Sequence, residues 1–367
     1  MRVLVTGATG FVGQRLVPAL LAAGHDVTAL VRDADRYEPP ASVRDADRYE
    51  PPASVRDADR YDAPASVRVV EGDLLEPGSF DAALDVDAAY YLVHSMRSGS
   101  DFEERDSRAA QNFADAASEA SVERVIYLGG LGEDRDRLSE HLRSRREVER
   151  VLGEGTYALT TLRAAILIGA GSASFEMIVQ LASRLPVMVT PQWVETPCQP
   201  IFVDDAIEYL VGVLDVPETA GETYEIGGPD VLTYREIIAR VGRIRGQEPM
   251  IVPVPILSPK LSSLWIGFVT DVPAAVARPL IEGLKNPVVV RDHRIESLID
   301  VDRTPFDDAV RRALGIEGGV EGGVEGDVEG SVEGDGEDTP VHRTPSADSD
   351  EDGNGERSTA AERGSDQ

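Results

Sequence analysis

Lysine is nearly absent from this chain. Of its 36 basic residues only Lys260 and Lys285 are lysine, and the bases face 66 acids, for a net charge of −30 over 367 residues. An acidic excess of that size repels a phosphodiester backbone and argues against nucleic acid as a partner. Cysteine occurs once, at Cys198, so neither an intrachain disulfide nor a cysteine-based metal site can form. The five histidines, His25, His94, His141, His293 and His342, show no metal-ligand spacing, and no metal site is expected. Long apolar runs are missing too. The longest near the C-terminal part, around Leu261–Thr270, is too short to span a bilayer. The start, MRVLVTGATG, enters a strand pattern at once, without the charged and apolar regions of a leader. These absences predict a soluble, cytoplasmic protein with no transmembrane segment.

What is present is acid, and its distribution is informative. Residues 316–367 carry 16 acids and three arginines, a net −13, which leaves −17 on the rest. The tail therefore does not account for the whole excess. A lysine-poor, acid-rich body fits a protein that stays hydrated in concentrated salt, where screening removes its self-repulsion. The tail itself reads GIEGGVEGGVEGDVEGSVEGDGED and then Ser, Asp, Thr and Pro, with almost nothing large and apolar to bury. Ordering entropy outweighs burial in such a segment, so 316–367 is expected to be disordered.

Before the tail, short β-branched runs alternate with helical patterns. Strands are expected at Arg2–Thr6, Asp26–Val31, Val67–Glu71, Ala88–Val93, Arg124–Leu128 and Leu159–Arg163. Helices are expected at Phe11–Ala23, Phe102–Ala120 and Leu138–Leu152, then at Ala173–Arg184, Val203–Leu214, Tyr234–Arg245 and Pro305–Leu314. Buried runs separated by crossover helices imply an α/β fold, a parallel sheet covered on both faces. The looser pattern beyond residue 168 predicts a smaller second lobe over 169–315, with 203–228 packing back on the first domain. One stretch interrupts the rhythm: VRDADRYEPPAS is repeated nearly three times over 31–66, between the second and third strands. Its prolines interrupt any long helix. Trebling a loop costs only about 1 kcal/mol in closure entropy. The repeat reads as an inserted loop, with a partner-binding or cofactor-gating element as the alternative.

VLVTGATGFVGQRL sets Gly7, Gly10 and Gly13 between a strand and a helix. Gly7 permits the tight turn, Gly10 lets the backbone approach a pyrophosphate, and Gly13 lets helix and strand pack closely. The free amides at the helix start favour the anion. This GxxGxxG spacing after Thr6 resembles the short-chain dehydrogenase/reductase superfamily, particularly its extended members such as the nucleotide-sugar epimerases. The resemblance implies a Rossmann-type doubly wound sheet over 1–168 and a dinucleotide held by Thr6, Gly7, Thr9, Gly10, Phe11, Val12 and Gly13. At the end of the second strand, NAD-preferring relatives place an acid; here that position is Val31, followed by Arg32. An arginine fork suits a ribose 2′-phosphate, so NADP(H) is favoured and NAD(H) remains possible. Asp73 and Leu74 match the adenine edge, and Val93 and His94 match positions near the nicotinamide end. Gly129 and Arg145 complete the implied cofactor contacts.

The superfamily's Ser, Tyr and Lys set is missing. Tyr and Lys spaced as YxxxK share one helix face, and the lysine lowers the phenol's pKa for proton exchange with a carbonyl or alcohol. Here the helix reads SEHLRSRREVERVL, with His141 at the tyrosine position and Arg145 at the lysine position. Gly129 and Gly130 stand where the serine would be. Histidine can move protons near neutral pH and arginine can hold a ribose or phosphate. His141, Arg145 and His94 are accordingly the catalytic candidates, with a plain polar helix residue or loop filler as the other reading. TGATGFVG, YYLVHSM, HLRSR, LRAAILIGAGSASFEMI, LPVMVTPQWV and GGPDVLTYREI together are similar to the atypical group of the superfamily. That group lacks the tyrosine and includes the NmrA-type regulators and the accessory NAD(P)H-binding subunit of respiratory complex I. The resemblance implies an NADP-dependent oxidoreductase on a small organic substrate, or a non-catalytic redox sensor or assembly protein, as a monomer or homodimer. The substrate and any partner protein are not specified by the sequence.

Overall fold

The computed structural model describes residues 1–37, 67–94, 102–132, 139–184, 186–254 and 283–316. Most of the 31–66 repeat and nearly all of the acidic tail lie outside the described residues.

In chain order come β1 (Arg2–Thr6), α1 (Gly13–Ala22), β2 (Asp26–Val31), β3 (Val67–Glu71), β4 (Ala88–Tyr91), α2 (Phe102–Glu119), β5 (Arg124–Gly130), α3 (Glu140–Leu152) and β6 (Ala158–Ala164), all within the compact unit 1–319. After β6 come β7 (Leu167–Ile168), α4 (Ala173–Arg184), β8 (Val187–Pro191), β9 (Pro197–Cys198), β10 (Ile201–Phe202), α5 (Val203–Asp215), β11 (Thr223–Ile226), β12 (Leu232–Thr233), α6 (Tyr234–Ile244), β13 (Met250–Val254) and α7 (Phe306–Leu314). The main sheet has seven strands in the order β11-β6-β5-β4-β1-β2-β3, every pair parallel. Chain order reverses at β1, between β2 and β4. A Rossmann-type sheet leaves its ligand crevice at that reversal, beyond the carboxyl ends of the strands.

Both faces of the sheet are buried, and strand residues divide between them by period two. Val3, Val5, Val27, Ala29 and Tyr90 face α1 and α5, meeting Leu16, Leu20, Ile207 and Leu210. Leu4, Leu30, Ala89, Tyr91 and Tyr127 face α2 and α3, meeting Phe113, Ala117, Val148 and Leu152. A third core belongs to the later elements and gathers Phe175, Ile178, Leu181, Val194, Ile237 and Phe306. Three small pairings frame it: β7 with β10, β9 with β12, and β8 with β13.

Buried polar groups mark the joints. Arg124 of β5 is 8% exposed and donates to Thr160 Oγ1, Thr219 Oγ1 and the Leu214 carbonyl, tying two strands to the end of α5. Asp205 of α5 accepts from the amide and hydroxyl of Thr304, each at 2.8 Å, and so anchors the approach to α7. Among the described residues no helix is long and apolar enough to cross a membrane.

Candidate functional site

One cavity of about 760 Å³ opens at the carboxyl ends of the strands, where the sheet order reverses. Its floor is the turn after β1. The Gly10 amide donates to the Gly7 carbonyl at 2.8 Å, and Gly7 sits at φ +69°, with the Leu92 carbonyl 3.1 Å from where a Cβ would stand. A side chain there would be strained in conformation and crowded by backbone. At Gly13 a Cβ would lie 2.3 Å from the Gly7 carbonyl oxygen, so no other residue fits. The amides of Phe11 and Val12, just before α1, make no backbone hydrogen bond among the described residues. They are donors at a helix N-terminus, the arrangement that receives a pyrophosphate.

The walls contain most of the residues singled out in the sequence. Gly7, Thr9, Gly10, Phe11, Val12, Gly13, Arg32, Asp73, Leu74, Val93, His94, Gly129 and Arg145 all line the cavity. Thr6 does not. It is fully buried, donates to the Tyr90 carbonyl at 3.0 Å and accepts from the Leu92 amide at 3.1 Å. Its hydroxyl is used in bracing β1 against the end of β4, which sets the floor but leaves nothing for a ligand. His141 lies on α3, but its side chain is outside the described residues and no contact is assigned to it.

Arg32 is exposed at the lip of the cavity and has no hydrogen-bond or ion-pair partner among the described residues. The 3-10 turn that follows it, Ala34–Arg36, is held when Glu71 Oε2 accepts from the Ala34 amide at 3.1 Å. Opposite, Asp73 Oδ1 accepts from the Leu75 amide at 2.9 Å, and Asn112 Nδ2 donates to the Leu74 carbonyl at 2.8 Å. These bonds fix the Asp73–Leu74 edge to α2.

At the other end, Arg145 is held against β5. Its Nη1 donates to the Leu128 carbonyl at 3.4 Å, while its own carbonyl accepts from the Tyr127 hydroxyl at 3.1 Å. The serine position is tight as well as empty. A Cβ on Gly129 would stand 3.1 Å from the Tyr127 ring, and one on Gly130 would stand 3.0 Å from Leu142 Cδ2. The tyrosine that lines this cavity, Tyr234, comes from α6. Burial drives its hydroxyl well above the usual phenol range, and Cys198 beside it raises it further. That is the opposite of the perturbation a tyrosinate base requires.

Two features escaped the sequence reading. Arg15 donates from Nη1 to the Phe11 carbonyl and from Nη2 to the Ala170 carbonyl, both at 2.8 Å, and stacks on the Phe11 ring at 4.4 Å. It clips the glycine-rich turn to the Gly169–Gly171 loop, where a Cβ on Gly169 would meet Val203 Cγ1 at 2.7 Å and Phe11 Cζ at 3.0 Å. Arg105 of α2 also lines the cavity. Both stand on amphipathic helices, where an arginine is indistinguishable from a solvated surface residue. The result is a charge inversion: Arg15, Arg32, Arg105 and Arg145 against the single acid Asp73, inside a chain of net charge −30.

The cavity lies where a Rossmann-type sheet leaves its ligand crevice, and comparison with known proteins gives the family. The profile of the NmrA-like family matches residues 1–269. The chain belongs to the NmrA-like family. This NmrA-like chain is 26% identical over 256 residues to a ceramide reductase of Caulobacter vibrioides, covering 69% of its own length and 73% of that protein. It is 28% identical over 159 residues to the mitochondrial NADH dehydrogenase (ubiquinone) 1 alpha subcomplex subunit 9 of Arabidopsis thaliana, 42% of this chain and 39% of that one. Among solved structures it is similar to a UDP-glucuronic acid 4-epimerase of Bacillus cereus in complex with UDP-glucuronic acid and NAD. The TM-score is 0.58 at 17% identity, over 86% of this chain and 98% of that one. At that identity the likeness establishes the fold.

Proposed function

We propose that this protein is an NADP(H)-dependent oxidoreductase acting on a small organic substrate without the Tyr/Lys mechanism. The observation that carries the reading is Arg32, an unpaired guanidinium at the lip of a cation-lined dinucleotide cavity, one residue beyond the end of β2. A bidentate fork there matches a 2′-phosphate, whereas a hydroxyl pair would call for an acid. Arg15 and the turn amides add to the attraction for a polyanionic dinucleotide. The bound nicotinamide would supply or accept the hydride. The chain's part is to orient it, through Gly129 and Arg145, and to exclude water with the elements from Gly169 onward. His94, beside the end of β4, is the lining group suited to moving a proton near neutral pH. The likeness to a ceramide reductase over more than two thirds of both chains supports a reductase.

A second reading rests on its own observation. Gly129 and Gly130 bear no hydroxyl, and the lining tyrosine is raised rather than lowered in pKa, so the described residues do not assemble the standard Ser/Tyr/Lys set. A protein built this way can bind the cofactor and report its state to a partner. A carbonyl and alcohol panel, followed by NADPH absorbance in molar salt beside a binding titration, separates the two. Turnover on any member establishes the enzyme. Tight binding with no turnover across the panel selects the sensor.

A further inference from the structure

The cavity is divided by chemistry. Its charged lining residues, Arg15, Arg32, Asp73, Arg105 and Arg145, and its histidine, His94, all precede residue 169. From Gly169 onward not one described lining residue is charged. That half is walled by Met177 and Ile178 of α4, Trp193, Ile238 of α6 and Val288, with Leu131 reaching in from the end of β5. Its polar side chains are few, Ser172, Ser174, Trp193 and Tyr234. Ser172 Oγ accepts from the Phe175 amide at the start of α4, and the Tyr234 hydroxyl is bonded to Cys198.

The cations in the other half differ in what they hold. Arg15 is spent on the Phe11 and Ala170 carbonyls, and Arg145 donates to the Leu128 carbonyl. Arg105 differs: its Nε is buried with no hydrogen-bond partner. A buried charged donor left unpaired is costly, and a ligand oxygen would relieve it.

We propose that the second-lobe half of the cavity binds an aliphatic or aryl molecule with a single oxygen-bearing head group, and that Arg105 receives the head. The proposal rests on the reading of this cavity as a joint cofactor and substrate chamber. A nucleotide sugar, with a diphosphate and many hydroxyls, would leave its polar groups unpaired against Met177, Ile178 and Ile238. An apolar body is instead driven onto that wall by release of water. Arg105 is thus a specificity-determining residue, and the apolar wall sets the ligand class.

The test uses the full chain in molar salt, carrying Trp265→Phe so that Trp193 is the one remaining tryptophan of the two. Tryptophan emission is titrated with 4-phenylbutanoate and, separately, with UDP-glucuronic acid, with and without NADPH. The expected result is saturable binding of 4-phenylbutanoate and none of UDP-glucuronic acid over the same range. Ile238→Glu should weaken 4-phenylbutanoate at least tenfold, and Arg105→Met about tenfold, with the melting temperature kept in Arg105→Met. Tighter binding of UDP-glucuronic acid, no binding of 4-phenylbutanoate, or binding indifferent to Arg105→Met overturns the proposal. A parent that binds 4-phenylbutanoate but not NADPH defeats the cofactor reading and leaves the ligand class standing.

Discussion

On the proposed reading, cofactor choice turns on Arg32. Its guanidinium has no described partner to lose, so Arg32→Ala removes ligand contacts without breaking an internal bond. Loss of one charge-assisted hydrogen bond should narrow the NADPH-over-NADH preference by about 1–2 kcal/mol. Paired titrations of parent and variant measure this, and an unchanged ratio would move the 2′-phosphate contact elsewhere. Glu208 makes a different prediction. Half-buried on α5, its carboxyl is pushed from 4.5 up to about 7, first by burial and then by Asp205, Asp204 and Asp302. Because the folded value lies above the unfolded one, protonated Glu208 favours the fold below about pH 4.5, and that contribution is lost as pH rises through 7. Glu208→Gln should therefore raise the melting temperature at pH 8 and leave it nearly unchanged at pH 4.5. Calorimetry at the two pH values checks this, and an equal shift at both would assign the effect to something other than ionisation.

At the scale of elements, β1, β2, β4 and β5 were legible because they are buried on both faces and carry a near-continuous apolar signal, whereas β3, at the sheet edge with no fully buried residue, shows only its β-branched valines. β11 was not legible. Its four residues, Thr-Tyr-Glu-Ile, alternate at the sheet edge, with Tyr224 and Ile226 buried, and pair only with β6 far earlier in the chain. Nothing local distinguishes such a strand from a loop. The glycine turn was legible because its geometry admits no other residue at Gly7 and Gly13. Thr6 does not line the cavity: a buried strut and a ligand contact look alike in sequence, and the Tyr90 and Leu92 backbone bonds show it bracing the strand ends. Arg15 and Arg105 were hidden because the loop and strand ends that bring them to the cavity are distant in sequence. The connection between β2 and β3 yields a prediction. The two strands pair in register from Val27 with Val67 to Val31 with Glu71, and neither needs residues 43–66 for it. Deleting 43–66 joins Ser42 to Val67 and restores a one-copy link. The melting temperature should hold or rise slightly, since a shorter loop loses less entropy on folding. NADPH affinity should change by less than about 1 kcal/mol. A large loss would mean that the later copies reach the adenosine.

The molecule as a whole carries its charge in two places, −17 over residues 1–315 and −13 beyond. Self-repulsion in the first part depends on screening, with a Debye length of about 3 Å at 1 M salt and 10 Å at 0.1 M. The folded body should therefore need concentrated salt, and truncation after Gly315 should leave both that need and cofactor binding in place. Circular dichroism of the truncated chain across a salt series tests this, with full stability in dilute buffer as the contrary result. The central claim is that a cation-lined cavity at the sheet reversal holds a phosphorylated dinucleotide. Equilibrium titration of the parent protein with NADPH and with NADH in molar salt tests it most directly. The account predicts saturable binding of both, with NADPH tighter. Equal affinities, or preference for NADH, would contradict it.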